Sequence, residues 1–258
     1  QDPDFDKYDT SSLETIMYGA SAISEAVLVE AMSKLPQTKF VQAYGQTELS
    51  PVATILAPEY HTLEGPNAGR LRSCGKAVST CELKVVDEDG DEVPTGTVGH
   101  IAVKGPITML GYWNKPEQTA ESLKDGWVYT GDGGYLDEEG FLYIADRLKD
   151  MIVSGGENVF SAEVEQAVTQ HPAVAECATI GIPNEKWGES VHAIVILRPG
   201  KAATQDDIIK HCHKLIAGYK CPRSVEFRTE PMPLSAAGKV LKKDLRAPYW
   251  GNAERNVN

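Results

Sequence analysis

The stretch GWVYTGDGGYLDEEGFLYIADRLKDMIVSGGENV, residues Gly126–Val159, contains the point at which the pattern of the chain changes. Before it, from about residue 69 to 144, short alternating segments are separated by turn signals. The turn Asp137–Gly140 belongs to this pattern, which predicts a hairpin-rich, mostly antiparallel β sub-domain. After Arg147 helix and strand signals alternate, so we expect a domain boundary near Lys149 and a small α+β module beyond it.

The module after the boundary is predicted in more detail. Ser161 is expected to cap a helix whose apolar side chains lie on one face. Residues 191–197 are apolar throughout, which predicts a strand buried on both faces. Thr204, with an acidic residue three positions later, is expected to open a helix that carries apolar side chains as far as Ile216. A last short strand is expected over residues 224–228.

The stretch AYGQTELSP, Ala43–Pro51, raises a functional question. A helix over residues 24–35 and a short strand precede it, and the strand leads directly into polar residues. Gly45 permits a sharp turn, with the hydroxyl of Thr47 and the carboxylate of Glu48 at its tip. This pattern is typical either of a plain surface turn or of a nucleotide site, where such groups face a phosphate and its metal ion.

The composition limits the function classes. With 258 residues, 41% hydrophobic and 24% charged, the chain has room for one large domain or two ordinary ones. A net charge of −12 argues against a nucleic-acid surface, and we expect no nucleic-acid partner. No apolar segment is long enough to span a bilayer. The absence of an initiator methionine leads us to expect a piece of a longer protein.

The cysteines and histidines do not suggest a metal site. The five cysteines are scattered without a CxxC pair, which favours reduced thiols in a cytoplasmic protein. The run His211-Cys212-His213 is similar to a ligand cluster, but adjacent residues of a helix point in different directions. We therefore expect it to be helix surface and core.

Four motifs occur in order along the chain. YGQTE at Tyr44–Glu48 is followed by GHIAVKGPITMLGYWNKPEQTAESL at Gly99–Leu123, then by the stretch quoted first, and finally by PMPLSAAGKVLKKDLR at Pro231–Arg246. Together they resemble the adenylate-forming, AMP-binding superfamily, which includes acyl-CoA synthetases, firefly-type luciferases and peptide-synthetase adenylation domains. The resemblance runs from about residue 12 to 245 and is closest to the acyl-CoA synthetase and CoA ligase branch.

The resemblance implies both a fold and a reaction. Residues 1–148 would be the C-terminal part of the large AMP-binding domain, of mixed α/β fold with the hairpin-rich β sub-domain. Residues 149–258 would be the small, mobile α+β lid domain. The enzymes of this family join a fatty or aryl carboxylic acid to AMP, release pyrophosphate and pass the acyl group to the thiol of CoA. The implied cofactors and substrates are ATP, Mg²⁺, CoA and a small carboxylic acid.

Site residues follow from the matching motifs. Glu48 would hold Mg²⁺ and Thr47 would bind phosphate, whereas Tyr44 and Gly45 would lie beside the adenine and the acyl pocket.

The adenine-side loop of the family matches Gly19, Ala20 and Ser21, although the family often has proline at the third position. These groups suit adenylation, because negative charge develops on the carboxylate, the α-phosphate and the pyrophosphate.

The later motifs imply ribose and hinge residues. Asp132 and Arg147 match the residues that bind the ribose, and a carboxylate can accept both ribose hydroxyls. Lys149 occupies the hinge position. Gly155 and Gly156 match a loop that lines the pantetheine tunnel after the small domain rotates, where glycine lets another chain approach.

Lys239 matches the lysine that the family uses for adenylation. A catalytic point charge on a mobile domain suits a role in only one half-reaction, because domain motion can bring it in and take it away.

Two departures from the family pattern occur. The family carries a Ser/Thr/Gly-rich loop ending in Pro-Lys-Gly that wraps the outer phosphates, and the 258 residues contain none. We therefore expect the N-terminal half of the enzyme to be missing and the chain to be inactive by itself. His100 replaces a usual glutamate and carries no functional conclusion. The alternatives are a peptide-synthetase-type adenylation domain, a luciferase-like oxygenase, and a nucleotide-binding or interaction module without turnover.

Overall fold

The structure is a computed structural model that describes residues 4–20, 23, 25–235 and 238–251. It divides into two compact units, residues 1–144 and 145–258. Several separate sheets with helices confirm the expected mixed α/β fold class. The domain boundary near Lys149 stays a prediction. Within the described ranges, no helix has the length and apolar character needed to cross a membrane.

Unit 1 contains two sheets and two α-helices in its described part. The strands are β1 (Thr15–Gly19), β2 (Lys39–Tyr44), β3 (Thr54–Leu56), β4 (Lys76–Ala77), β5 (Glu82–Val86), β6 (Gly99–Lys104), β7 (Leu123–Lys124), β8 (Trp127–Leu136) and β9 (Leu142–Arg147), and the helices are α1 (Glu25–Lys34) and α2 (Pro116–Ser122). The first sheet has the order β1-β2-β3-β4, and the second has the order β5-β6-β8-β7 with β9 paired to β8.

The first sheet brings two loops to one edge. β1 and β2 run parallel, whereas β3 and β4 add antiparallel strands. Helix α1 connects β1 to β2, and its fully buried Leu28 packs in a core with Phe40 of β2. Residue 24, the expected cap of this helix, lies outside the described residues.

The second sheet is the expected antiparallel β sub-domain, built on apolar side chains such as Ile101, Val128 and Leu142.

Unit 2 is one sheet with helices on both faces. Its elements are β10 (Ile152–Ser154), β11 (Glu157–Val159), α3 (Ser161–Thr169), β12 (Val174–Asn184), β13 (Gly188–Leu197), α4 (Gln205–Cys212), β14 (Ser224–Phe227) and α5 (Lys242–Trp250). The strand order is β11-β10-β13-β12. A further strand, β14, pairs with β13 in parallel orientation and with no other strand in the described part of the sheet.

Strand β13 is buried on both faces, as its apolar run predicts. Val191, Ala193 and Val195 belong to the core that includes side chains of α3 and α4. Ile194 belongs to a second core, which it shares with Leu245 of α5. Successive side chains of β13 therefore point to opposite faces of the sheet and pack in two different cores.

Two expectations about the helices of unit 2 are wrong in detail. Ser161 is the first helical residue of α3 and not its cap, because Phe160 occupies that position. The hydroxyl of Ser161 instead donates a hydrogen bond to Asp146. Helix α4 ends at Cys212, since the chain leaves the helix before the apolar side chains run out. Its predicted start is confirmed, because Thr204 and Asp207 form a reciprocal capping box.

Candidate active site

The carboxyl ends of β1 and β2 lie side by side, and both lead into segments selected from the sequence. Gly19 pairs with Ala43 in the register of these parallel strands. A Cβ atom on Gly19 would lie 2.1 Å from the carbonyl oxygen of Ala43, so a side chain does not fit there. Ala20 follows with φ of 63°, a conformation that L residues adopt rarely and that is often found at functional sites. Ser21 lies outside the described residues. Ligands of open α/β sheets bind at this edge.

The turn after β2 is compact and presents its polar groups outward. A Cβ atom on Gly45 would lie 2.0 Å from the carbonyl oxygen of Pro51, which explains the glycine. Residues Thr47–Leu49 form a single 3₁₀ turn whose Leu49 is fully buried. Because Leu49 anchors the turn, Thr47 is exposed and Glu48 is half-buried at its surface.

Tyr44 contacts a distant motif. Its hydroxyl donates a 2.7 Å hydrogen bond to Oδ2 of Asp132, which lies buried in β8. The backbone N–H of Asp132 donates to Oγ1 of Thr130 over 3.2 Å, and this hydroxyl in turn donates to the carbonyl of Ile101. Burial, and then the charge of Asp132, raise the pKa of Tyr44 well above its ordinary value. The phenol of Tyr44 therefore keeps its proton and is the donor in this pair.

Glu48 has a partner that sequence reasoning missed. Its Oε1 accepts a 2.7 Å hydrogen bond from the hydroxyl of Tyr112. Burial, followed by this hydrogen bond, raises the pKa of Tyr112, so the phenol remains a donor. Tyr112 lies inside the second motif, but nothing in the motif indicates which side chain it faces. In the described part of the chain, the other oxygen of Glu48, Oε2, makes no hydrogen bond.

The two glycines of the β10–β11 hairpin have different surroundings. Gly155 and Gly156 have φ of 65° and 85°, the pair of positive values that a two-residue type I′ turn requires. The N–H of Gly155 donates to the carbonyl of Trp187 over 2.8 Å, and a Cβ atom there would lie 2.7 Å from the indole ring. A Cβ atom on Gly156 would meet nothing within 4 Å. Close packing within the unit thus requires only the first glycine.

Lys239 lies in a tight loop before α5. The N–H of Lys239 donates to Oγ of Ser235 over 3.1 Å, and the N–H of Ser235 donates to the carbonyl of Lys239 over 2.8 Å. The side chain of Lys239 is exposed, and its ammonium makes no ion pair with any residue that the structure describes. The nearby Lys242, by contrast, is paired with Glu165 over 2.7 Å.

The predicted ribose arginine and the predicted hinge lie at the end of β9 and in the turn after it. Arg147 is the last residue of β9, and its N–H donates to Oδ1 of Asp146 over 2.7 Å. Lys149 lies in the 3₁₀ turn Leu148–Asp150 and is exposed.

The His-Cys-His run is accounted for by packing. Cys212 is fully buried in the core of unit 2, whereas the ring of His211 packs edge-on against His171 with centroids 5.2 Å apart. His213 is exposed at the end of α4. Among the described residues, no group of three or more His, Cys, Asp and Glu side chains is arranged to hold a metal ion.

Two family models match the chain. The model for the AMP-binding enzyme matches residues 1–113, and the model for the AMP-binding enzyme C-terminal domain matches residues 163–239.

Curated relatives cover nearly the whole chain. The chain is 40% identical over 250 residues to the fatty acid–[acyl-carrier-protein] ligase ScoC of Streptomyces coeruleorubidus. This match covers 97% of this chain and 47% of the relative. It is 43% identical over 262 residues to the medium/long-chain-fatty-acid–CoA ligase FadD8 of Mycobacterium tuberculosis. That match covers 99% of this chain and 45% of the relative. The chain therefore spans about half the length of the curated relatives it matches.

Solved structures give the same result. The amide bond synthetase McbA of Marinactinospora thermotolerans superposes with a TM-score of 0.87 and 32% identity, over 96% of this chain and 49% of that one. The o-succinylbenzoate CoA synthetase of Bacillus subtilis, in complex with its acyl-adenylate intermediate, gives a TM-score of 0.82 and 35% identity. The superposition covers 92% of this chain and 46% of that one.

Proposed function

Because the chain belongs to the AMP-binding enzyme family, we propose that the protein activates a carboxylic acid as its acyl adenylate and transfers the acyl group to CoA. The observation that carries the proposal is the hydrogen bond between Tyr44 and Asp132. This bond joins the end of β2 to the Gly131-Asp132 motif of β8, and both segments belong to unit 1 and resemble nucleotide motifs of the family.

Each side chain has a role that suits its chemistry. Asp132 offers a buried carboxylate that can accept ribose hydroxyls, and we assign Arg147 to the same ribose. Gly19 and Ala20 would line the adenine, and the exposed hydroxyl of Thr47 would donate to phosphate. Hydrogen-bond donors preorganised toward developing charge are among the largest contributions to catalysis.

Mg²⁺ fits the groups present near Glu48. This ion prefers oxygen ligands and usually binds through one or two carboxylates together with substrate phosphates. Glu48 supplies one carboxylate, oriented through Oε1 by Tyr112. Glu48 would hold the ion, which would stabilise charge on the phosphate oxygens of bound ATP.

We assign the second half of the chain to switching between half-reactions. Lys239 would donate to the acyl carboxylate or α-phosphate during adenylation, which suits its exposed ammonium. A rotation at Lys149 would then withdraw Lys239 and bring the hairpin of Gly155 and Gly156 to the path of the CoA thiol. Domain closures of this kind separate the steps of many enzymes.

A carrier-protein thiol is the second candidate acceptor. One observation favours it, namely that ScoC, 40% identical to this chain, is a fatty acid–[acyl-carrier-protein] ligase. The acid itself stays open between fatty and aryl classes, since a feruloyl-CoA synthase also matches the chain, with 38% identity. All five cysteines are free thiols, which suits the cytoplasm.

The test is an ATP–pyrophosphate exchange assay on the whole gene product with a panel of fatty and aryl acids. We expect exchange with at least one acid and loss of most of that exchange in Asp132→Asn. Product analysis with CoA and with a carrier protein then identifies the acceptor. Absence of exchange with every acid, in a folded protein that binds ATP, would contradict the proposed function.

A further inference from the structure

Asp146 joins the end of β9 to helix α3. It is buried, and its Oδ2 accepts a hydrogen bond from the hydroxyl of Ser161 and another, over 3.2 Å, from the N–H of Ala162. These are the first two residues of α3, where N–H groups lack partners inside the helix and a negative charge is favoured. The carboxylate of Asp146 therefore caps the helix in the way that the sequence assigns to Ser161.

Lys242 completes this contact from the other side. Its ammonium donates to the hydroxyl of Ser161 and lies 2.7 Å from Oε1 of Glu165, with 13% of the side chain exposed. Burial alone would lower the pKa of Lys242, but the charges of Glu165 and Asp146 outweigh it and raise that pKa. The hydroxyl of Ser161 thus accepts from a charged lysine and donates to Asp146, which makes it the link between the two.

A second buried ion pair lies one helical turn further along α5. Nη1 of Arg246 is 2.8 Å from Oδ1 of Asp150, and the side chains are 13% and 14% exposed. Both ion pairs lie wholly beyond Lys149 in the chain, and only the bonds from Asp146 to Ser161 and Ala162 span that position. Asp146 precedes Lys149 in the chain, and Asp150 follows it directly.

We propose that Asp146 is a positioning residue that holds the arrangement of the hinge seen in this structure. A turn of the backbone at Lys149 moves everything after that residue relative to everything before it. The bonds from Asp146 to Ser161 and Ala162 would therefore break, whereas the Arg246–Asp150 pair would move as one body. This inference rests on the proposed rotation at Lys149.

Ser161→Ala tests the proposal, because it removes the link and leaves every charge in place. The bonds from Asp146 can form in only one of the two proposed arrangements of the hinge, so their loss should disfavour the half-reaction that uses that arrangement. We expect the ratio of the adenylation rate to the thioester-forming rate to change by about tenfold, the effect of losing one hydrogen bond to a charged group. Asp146→Asn, which keeps the size of the side chain, should change the ratio in the same direction.

Arg246→Met is the matched control. It removes a buried ion pair that lies wholly beyond Lys149, so both half-reactions should change by the same factor. If Ser161→Ala and Arg246→Met change the ratio equally, or if neither Ser161→Ala nor Asp146→Asn changes it, the proposal is wrong.

A second readout does not need activity. Lys149 is exposed, and trypsin cleaves after lysine when the local backbone opens. Ser161→Ala should raise the rate of cleavage at Lys149 in the native protein by about tenfold, with a thermal midpoint lowered by only about 2–5 °C. Faster cleavage in a protein without pyrophosphate exchange would support the hinge contact and contradict the proposed function. An unchanged cleavage rate in an active enzyme would contradict the hinge contact alone.

Discussion

The hydroxyl of Tyr44 and the carboxylate of Asp132 form a 2.7 Å hydrogen bond across 88 residues of sequence. The bond ties the end of a parallel strand in one sheet to the middle of a strand in another. Because the pKa of Tyr44 is raised, the phenol keeps its proton at neutral pH and remains a donor. Asp132 is consequently held in one orientation before any ligand arrives.

The first prediction concerns this bond. Tyr44→Phe keeps the ring and removes the donor that orients Asp132. We expect pyrophosphate exchange to fall by about tenfold through a higher KM for ATP, since one hydrogen bond to a charged group is lost. Tyr8→Phe, at an exposed tyrosine, is the control. An unchanged KM in Tyr44→Phe would remove Tyr44 from the site.

The second prediction separates the lysines near the end of the chain. Lys239→Ala should lower adenylation by about 10²- to 10³-fold, the typical effect of losing one transition-state contact. Thioester formation from preformed acyl adenylate should stay largely intact. Lys243→Ala, at an exposed lysine four residues later, should change neither rate. Equal loss of both half-reactions in Lys239→Ala would refute the switch between them.

The third prediction uses two glycines with similar backbone. Gly156 and Gly200 have φ of 85° and 72°, and a Cβ atom on either meets nothing within 4 Å. Leucine at either position should destabilise the protein by about 1–2 kcal/mol, because an L residue is strained in a left-handed conformation. Only Gly156→Leu should slow transfer to CoA while sparing adenylate formation. Equal transfer rates in the two variants would make the hairpin a plain turn.

The fourth prediction concerns pH. His192 is buried, with Nδ1 2.7 Å from Oγ of Ser224 and Nε2 3.0 Å from the hydroxyl of Tyr249. Burial lowers the pKa of His192, although Glu226 opposes this effect. The contribution of His192 to stability is therefore complete above the unfolded value of about 6.5 and is lost as the pH falls through the folded pKa.

Urea denaturation at pH 7.5 and 5.5 measures this contribution. The wild type should lose more unfolding free energy between the two pH values than His192→Gln does. His213→Gln, at an exposed histidine, should behave as the wild type. The same loss in all three proteins would assign the pH dependence to other groups.

The fifth prediction concerns the 258 residues by themselves. Without a loop for the outer phosphates, the α-phosphorus of ATP is poorly held, and misplacement by about 1 Å can cost 10²-fold in rate. The chain with ATP, Mg²⁺, CoA and an acid panel should therefore release no sustained AMP. Met17, Leu110 and Trp113 are 63%, 101% and 88% exposed, so we also expect self-association. Sustained turnover with any acid would show that the loop is dispensable.

Local patterns were sufficient for much of the fold. The strand before Tyr44, the capping box at Thr204 and the doubly buried run 191–197 each follow from neighbours in sequence, and the structure contains all three. The capping role predicted for Ser161 is wrong because Asp146, which lies outside the helix, binds the same helix end. A single sequence carries no signal for such long-range competition.

The candidate site divides in the same way. Its residue types could be selected from motifs, but their partners could not. Tyr112 opposite Glu48, and Lys242 opposite Glu165, are contacts between segments 64 and 77 positions apart. Tertiary folding alone decides which side chain faces which.

His192 also determines how β13 is aligned with its neighbours. The aliphatic residues of β13 alternate between two cores, so a slip by one position would only exchange one apolar side chain for another, as with Ala193 and Ile194. Hydrophobicity alone would tolerate such a slip. The imidazole would then leave its two hydroxyl partners and enter the opposite core without them, which is costly for a polar group. Buried polar side chains such as His192 thus make one alignment of β13 more favourable than its slipped alternative.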